Sequence, residues 1–146
     1  MKNLSILRHN RLNVVMGASH SGKTTHLYNK AIEDARDGKK ILFITLEESS
    51  DILINRFGKH KNICVFESNP DIITMEHIER MSDIIDFDTL VIDNVWFLAN
   101  GSESRCMEIK RLLFCLDDIA SKTNKNIRCS LNTIKPSYYE SWFRRK

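Results

Sequence analysis

Gly17-Ala18-Ser19-His20-Ser21-Gly22-Lys23-Thr24 decides how this chain is read. The stretch fits G-x-x-x-x-G-K-[ST], a loop whose backbone N–H groups cradle phosphates. Its flanks agree with that reading. Leu12-Asn13-Val14-Val15-Met16 in front is a short buried strand by composition, and Thr25 to Arg36 behind carries Leu27, Tyr28, Ala31, Ile32 and Ala35 at helical spacing. The glycines reach backbone angles that a Cβ would block, so successive N–H groups can turn inward around an anion. A helix starting near Lys23 adds unpaired N–H groups and the positive end of its dipole. Residues 17–25, including Thr25, are therefore the expected contacts of a nucleoside triphosphate, taken here as ATP. Lys23 is expected to reach the β- and γ-phosphates, and the Thr24 hydroxyl to ligate Mg²⁺. His20 either leans over the nucleotide or fills a tolerant x position.

Outward from the loop, apolar runs alternate with helical patterns. Asp37-Gly38-Lys39-Lys40 closes the first helix, glycine serving as its C-cap. Ile41-Leu42-Phe43-Ile44-Thr45-Leu46 is an apolar, β-branched run of the kind covered on both faces. Asp51 to Phe57 is a short helix, Asn62 to Phe66 a third strand, and Pro70 opens a helical stretch through Ile85. Thr89-Leu90-Val91-Ile92-Asp93 is the fourth strand. The strongest amphipathic helix follows, with Ile109, Leu112, Leu113, Leu116, Ile119 and Ala120 on one face, and Asn126 to Asn132 is a fifth strand. Such alternation implies a mostly parallel α/β sheet with helices on both faces. Ligands of these sheets sit at the strands' carboxyl ends, where the loop, Glu47, Asp93 and Asn132 all fall.

The bulk numbers suit one domain over residues 1–146, with 1–11 a lead-in and 136–146 a basic aromatic tail. Apolar residues make up 42% and charged ones 28%, an ordinary globular balance. A net charge of +3 from 22 basic and 19 acidic residues is too mild to imply nucleic-acid binding unaided. Cys64, Cys106, Cys115 and Cys129 lie in apolar patterns without C-x-x-C spacing, which points to buried thiols in a reducing compartment. No apolar run approaches membrane-spanning length, so the expectation is a cytoplasmic protein with no membrane partner.

A phosphate loop needs a second group to hold its metal. Apolar strand residues ending in an acid make Asp93 that group, a Walker-B carboxylate that positions the Mg²⁺ shell through water. Asn94 follows it, so a general base must come from elsewhere. Glu47 and Glu48, at the tip of the second strand, offer one that can orient and deprotonate water beside the γ-phosphate. The alternative is that both only favour the N-terminus of the next helix.

At these residues the chain resembles the RecA-type ATPase core, most of all its DnaB-like replicative helicase branch. VVMGASHSGKTT, ILFITLEES, LVIDNVWFL, and LDDIASKTN leading into IRCSLNTIK carry the likeness, over roughly residues 11–135. It implies a RecA-like fold, ATP and Mg²⁺ as cofactors, and Glu47 rather than Glu48 as the catalytic base. It also implies a homo-oligomer or a partner supplying an arginine in trans, together with single-stranded DNA or a DNA-replication protein as partners. The chain departs from this family in three places. Asn132 or Thr133 stands where a glutamine usually senses the γ-phosphate, Asp117 stands where a lysine is usual, and the later strands with DNA-contacting loops do not follow, as if the core were shortened at its C-terminus.

Two other readings stand beside that ATPase. Thymidine-type nucleoside kinases open similarly with S-G-K-T-T, a helix, a lysine-rich turn and a strand, but carry Asp-Glu at the Walker-B position and a zinc-binding cysteine set. A nucleotide-gated binding module with little turnover is the other. The tail's Tyr138, Tyr139, Trp142 and Phe143, interleaved with Lys135, Arg144, Arg145 and Lys146, suit either stacking on single-stranded nucleic acid or docking on this domain or a neighbour. Trp96 and Phe97 likewise either stack a ligand or pack their loop. Arg105, Lys110 and Arg111 read as a solvated helix face.

Overall fold

A computed structural model describes residues 4–99, 104–133 and 135–144. Its centre is a six-stranded sheet in the order β1-β2-β6-β5-β3-β4. The strands are β1 (Ser5–His9), β2 (Leu12–Gly17), β3 (Ile41–Thr45), β4 (Ile63–Glu67), β5 (Thr89–Asp93) and β6 (Asn126–Asn132). All neighbours run parallel except β1, which pairs antiparallel with β2 from Ser5–Met16 to His9–Leu12. The expected lead-in thus becomes an edge strand. Asn10, with φ of 54°, turns the chain back so that Ile6 and Leu7 pair with Val15 and Val14.

The period-2 alternation of strand side chains divides the core. Val14, Met16, Leu42, Ile44, Leu90 and Ile92 face one side, where Ile109, Leu113 and Leu116 of α4 (Arg105–Thr123) cover them. Val15, Phe43 and Val91 face the other, under Leu27, Tyr28 and Ala31 of α1 (Lys23–Arg36) and Leu53 of α2 (Ser50–Phe57). Central strands buried on both faces need apolar residues at every position, which is why their sequences show runs rather than alternation. Ile78 of α3 (Met75–Ile84) joins the α4 side.

Three expectations change. Pro70 does not open a helix: Asn69 accepts from the Asp71 N–H, turning residues 69–73 locally, and α3 starts only where Thr74 and His77 form a capping box. The thiols are not uniformly buried. Cys129 is, but Cys106 is half-buried and Cys64 and Cys115 are exposed, because an edge strand and a helix flank leave apolar-looking positions outside the core. Arg105 and Lys110 are not merely solvated either. The Arg105 guanidinium lies 4.4 Å from the Trp96 ring centre and the Lys110 ammonium 4.9 Å from that of Trp142.

The aromatic tail docks. Pro136, lacking an N–H and fixed in φ, opens helix α5 (Pro136–Arg144), which buries Tyr139 and Phe143 in the main core. Phe143 meets His9 of β1 and Phe114 of α4, each with ring centres 5.0 Å apart. Beneath it His9 pairs with the buried Asp117 at 3.0 Å, which explains an acid where a lysine is usual in the resembling family. Phe143→Ala should lower unfolding free energy by about 3 kcal/mol, read as an earlier urea midpoint with the same slope. An unchanged midpoint would mean that α5 adds nothing to the core. The side chain of Arg144, and Arg145 altogether, lie outside the described residues.

Candidate functional site

The loop between β2 and α1 is shaped by glycines at two positions where nothing else fits. A Cβ on Gly17 would lie 2.6 Å from the Ser21 hydroxyl and 2.9 Å from Leu4, and Gly22 has φ of +94°. Gly22 also begins the helical bonding, its carbonyl accepting from the His26 N–H at 3.0 Å. His20 occupies the left-handed region at φ 62° on the exposed rim. Ala18, Ser19 and Thr25 are also exposed, and Ser21 is buried. Lys23 is buried at the base of a cavity of about 380 Å³ whose walls include His20, Thr24, Glu47, Glu48 and Arg56. Its ammonium donates to the Ala18 carbonyl at 2.6 Å and to the Ser21 hydroxyl at 3.3 Å. Burial lowers its proton affinity, while the charges of Glu47 and Asp93 act in the opposite direction.

Asp93 ties the site together. It is fully buried, and its two carboxylate oxygens accept from the Thr24 hydroxyl at 2.7 Å and the Ser130 hydroxyl at 2.6 Å. Burial pushes its pKa up, and those two hydrogen bonds pull it back down. Parallel pairing places Cys129 opposite Ile92, so Ser130 reaches the tip of β5. Thr24 and Asp93 are hard oxygen donors of the kind Mg²⁺ takes, and a buried carboxylate with raised proton affinity gains from a nearby cation. These residues fit the metal expected from the sequence. Bound Mg²⁺ supplies charge neutralisation to phosphate oxygens.

Glu47 and Glu48 separate into different roles. The Leu46 N–H donates to the Asp93 carbonyl at 2.6 Å, which fixes the end of β3 beside the Walker-B strand. Glu48 is engaged by Arg56, whose guanidinium donates to both carboxylate oxygens at 3.0 and 3.4 Å. Glu47 makes no hydrogen bond among the described residues and faces the cavity. Partial desolvation raises its pKa first, and the Asp93 charge adds to this, with Lys23 opposing. A carboxylate with elevated proton affinity at the cavity mouth is suited to taking a proton.

The tip of β6 is wired to the same loop. Asn94, wholly buried, donates to the Asn132 side-chain oxygen at 2.9 Å, and the Thr133 N–H donates to the Gly17 carbonyl at 2.9 Å. The Thr133 hydroxyl accepts from the Lys135 N–H at 3.0 Å. Beyond them lies a second cleft of about 480 Å³, mostly apolar, bounded by Ala18 and Ser19 of the loop, Trp96, Lys135 and Tyr138. Trp96 and Phe97 pack against the core, and Trp96 also presents an edge to this cleft. Trp142 is half-buried in α5, against Tyr138 and Tyr139.

Sequence reading missed Ser130 and Arg56. Ser130 carries no signal without the strand register. Arg56 did, faintly: it sits in the last turn of the helix that follows the two glutamates.

A family model described as thymidine kinase matches residues 10–118. Among solved structures, a KaiC-like protein of the hyperthermophilic archaeon Pyrococcus horikoshii OT3 is 25% identical, with a TM-score of 0.67 over 90% of this chain. The flagellar accessory protein FlaH of Methanocaldococcus jannaschii is 12% identical, with a TM-score of 0.65 over 98% of this chain. This chain spans 66% of the length of the first and 77% of the second. No curated protein matches it in sequence. The RecA-like P-loop fold expected from the motifs is the fold observed, whereas the particular likeness to DnaB-like helicases rests on the motifs alone.

Proposed function

This chain belongs to the thymidine kinase family, and from the loop geometry we propose that it cleaves the terminal phosphoanhydride of Mg-ATP, with water as the acceptor. The observation that carries this is the hydrogen-bonded set Thr24, Asp93 and Ser130 beside Lys23, with Glu47 on the same cavity and without a hydrogen bond among the described residues. Lys23 and the loop N–H groups stabilise charge building on the phosphates, and Thr24 and Asp93 hold the metal shell. Glu47 takes the proton from the attacking water. Asn94 stands where thymidine-type kinases carry glutamate, and its side chain is committed to Asn132 and to the Trp96 N–H, so the base comes from β3 instead.

We assign single-stranded DNA as the partner that regulates turnover, in a cytoplasmic role tied to DNA replication or recombination. The cleft beside the loop supports this: aromatic Trp96 and Tyr138 with Lys135 at its edge combine a stacking surface with positive charge. The Thr133–Gly17 and Asn94–Asn132 bonds give a physical route from that cleft to the loop. Helicase action and an oligomer are the further extensions of this reading. The test is steady-state ATP hydrolysis with and without oligothymidylate, with Lys23→Ala as control. We expect DNA to raise turnover several-fold and Lys23→Ala to abolish it.

The second reading is a nucleoside kinase, favoured by the family match. In that case Glu47 would deprotonate a nucleoside hydroxyl, and ATP would be consumed only with a nucleoside present. Turnover that needs thymidine and ignores DNA would replace the first reading. Nucleotide binding with negligible turnover under every condition would leave the nucleotide-gated module.

A further inference from the structure

Arg56 is the cation of the nucleotide cavity that no catalytic role above uses. It ends α2, a helix held in place by the Ser49 cap, whose hydroxyl accepts from the Ile52 N–H, and by the fully buried Leu53. That anchoring turns the guanidinium toward the phosphate loop, where it shares cavity walls with Lys23 and Thr24. Its partner is the carboxylate of Glu48, the residue next to the proposed base.

The pair is built to exchange. The Arg56 side chain is 46% exposed and that of Glu48 25%, and an ion pair this wet stabilises a protein little. A guanidinium presents parallel N–H donors that suit phosphate oxygens as well as a carboxylate. A terminal phosphate in the cavity offers more charge than Glu48 does. The polar groups at the tip of β6 beside the loop are meanwhile committed elsewhere, Asn132 to Asn94 and Thr133 to the loop and to Lys135.

We propose that Arg56 is the γ-phosphate sensor of this site, acting in cis: it leaves Glu48 for the terminal phosphate of a bound triphosphate and returns to Glu48 when only diphosphate remains. This rests on the reading that the loop binds ATP. No second subunit is then needed to bring an arginine to the nucleotide. The exchange also uncovers the Glu48 charge beside Glu47 at the moment a base is required, and a neighbouring anion strengthens a carboxylate base.

The experiment measures affinity for a non-hydrolysable ATP analogue and for ADP, both with Mg²⁺, in the wild-type chain, Arg56→Ala, Arg56→Lys and Glu48→Gln. The wild type should prefer the triphosphate by about 10- to 100-fold, the range of a charge-assisted hydrogen bond. Arg56→Ala should lose most of that preference while its ADP affinity stays within about twofold and its melting temperature is kept. Arg56→Lys should restore part of it, and Glu48→Gln, which frees the arginine, should increase it. A preference that survives undiminished in Arg56→Ala overturns the proposal, as does a wild type without preference. Binding of neither nucleotide by the wild type overturns the loop reading itself, and the sensor with it. Mixing Arg56→Ala with Lys23→Ala separates cis from trans. Arg56→Ala alone should turn ATP over more slowly than the wild type; turnover recovered in the mixture would show the arginine crossing between chains and overturn the cis assignment, whereas no recovery supports it.

Discussion

Glu47→Gln should slow ATP turnover by about 10²- to 10⁴-fold, the usual contribution of a positioned general base. Nucleotide affinity should change little, because Glu47 bonds neither to Lys23 nor to Thr24. The pH profile gives the sharper readout. Desolvation and the Asp93 charge raise the Glu47 pKa above the ordinary carboxylate range. The base is active when ionised, so the wild-type rate should fall with decreasing pH along an acid limb displaced upward from that range. In Glu47→Gln that limb should disappear. Glu48→Gln should keep the limb but move it toward lower pH, since it removes the anion beside Glu47. A Glu47→Gln enzyme with wild-type turnover would remove the base from β3.

The second large effect belongs to Asp93→Asn, and its two consequences run in opposite directions. Turnover should fall by about 10²- to 10³-fold, since the variant withdraws a negative oxygen from the metal shell and weakens electrostatic stabilisation of the reacting phosphates. Stability in the absence of metal should not fall with it. Burial raises the Asp93 pKa in the folded chain, so the stabilising contribution of this group is full below its unfolded pKa and is lost as pH rises through the folded one. Above the folded pKa the ionised carboxylate therefore costs stability, and an uncharged amide of the same shape removes that cost. Thermal melting in chelator should show Asp93→Asn at least as stable as the wild type, with a stability that depends less on pH. A variant much less stable than the wild type would mean that the Thr24 and Ser130 hydrogen bonds outweigh the burial cost.

Both predictions turn on residues that the sequence made visible to different degrees. The loop from Gly17 to Thr24 was legible in full, because its chemistry depends on backbone angles and residue types only a few positions apart. The parallel sheet was legible for a related reason: strands buried on both faces must be apolar throughout, and β3 and β5 are. The acid at the end of β5 could be picked out for the same reason. Ser130, which completes its hydrogen bonding, could not, because that contact depends on the register between β5 and β6 and not on local spacing.

The chain ends show the same division. Ser5–His9 has a mixed, basic composition without a strand signal, and it becomes a strand because the outer edge of β2 offers it unpaired backbone groups. The aromatic tail had two readings of equal chemistry, stacking on nucleic acid or docking. Docking prevailed for Tyr139 and Phe143 because β1 and α4 together form an apolar surface for them, while Tyr138 stays at the cleft. Spacing alone left Glu47 and Glu48 equivalent, with only the resemblance favouring Glu47; the tertiary structure engages Glu48 with Arg56, and Glu47 makes no hydrogen bond among the described residues. What the sequence by itself determined is the phosphate loop, the alternating α/β order and the acids at strand ends, since each follows from local conformational and burial rules. What only the tertiary structure decided is which carboxylate an arginine engages, which hydroxyl supports Asp93 and which arginine enters the cavity, because those depend on how folded elements meet rather than on local spacing.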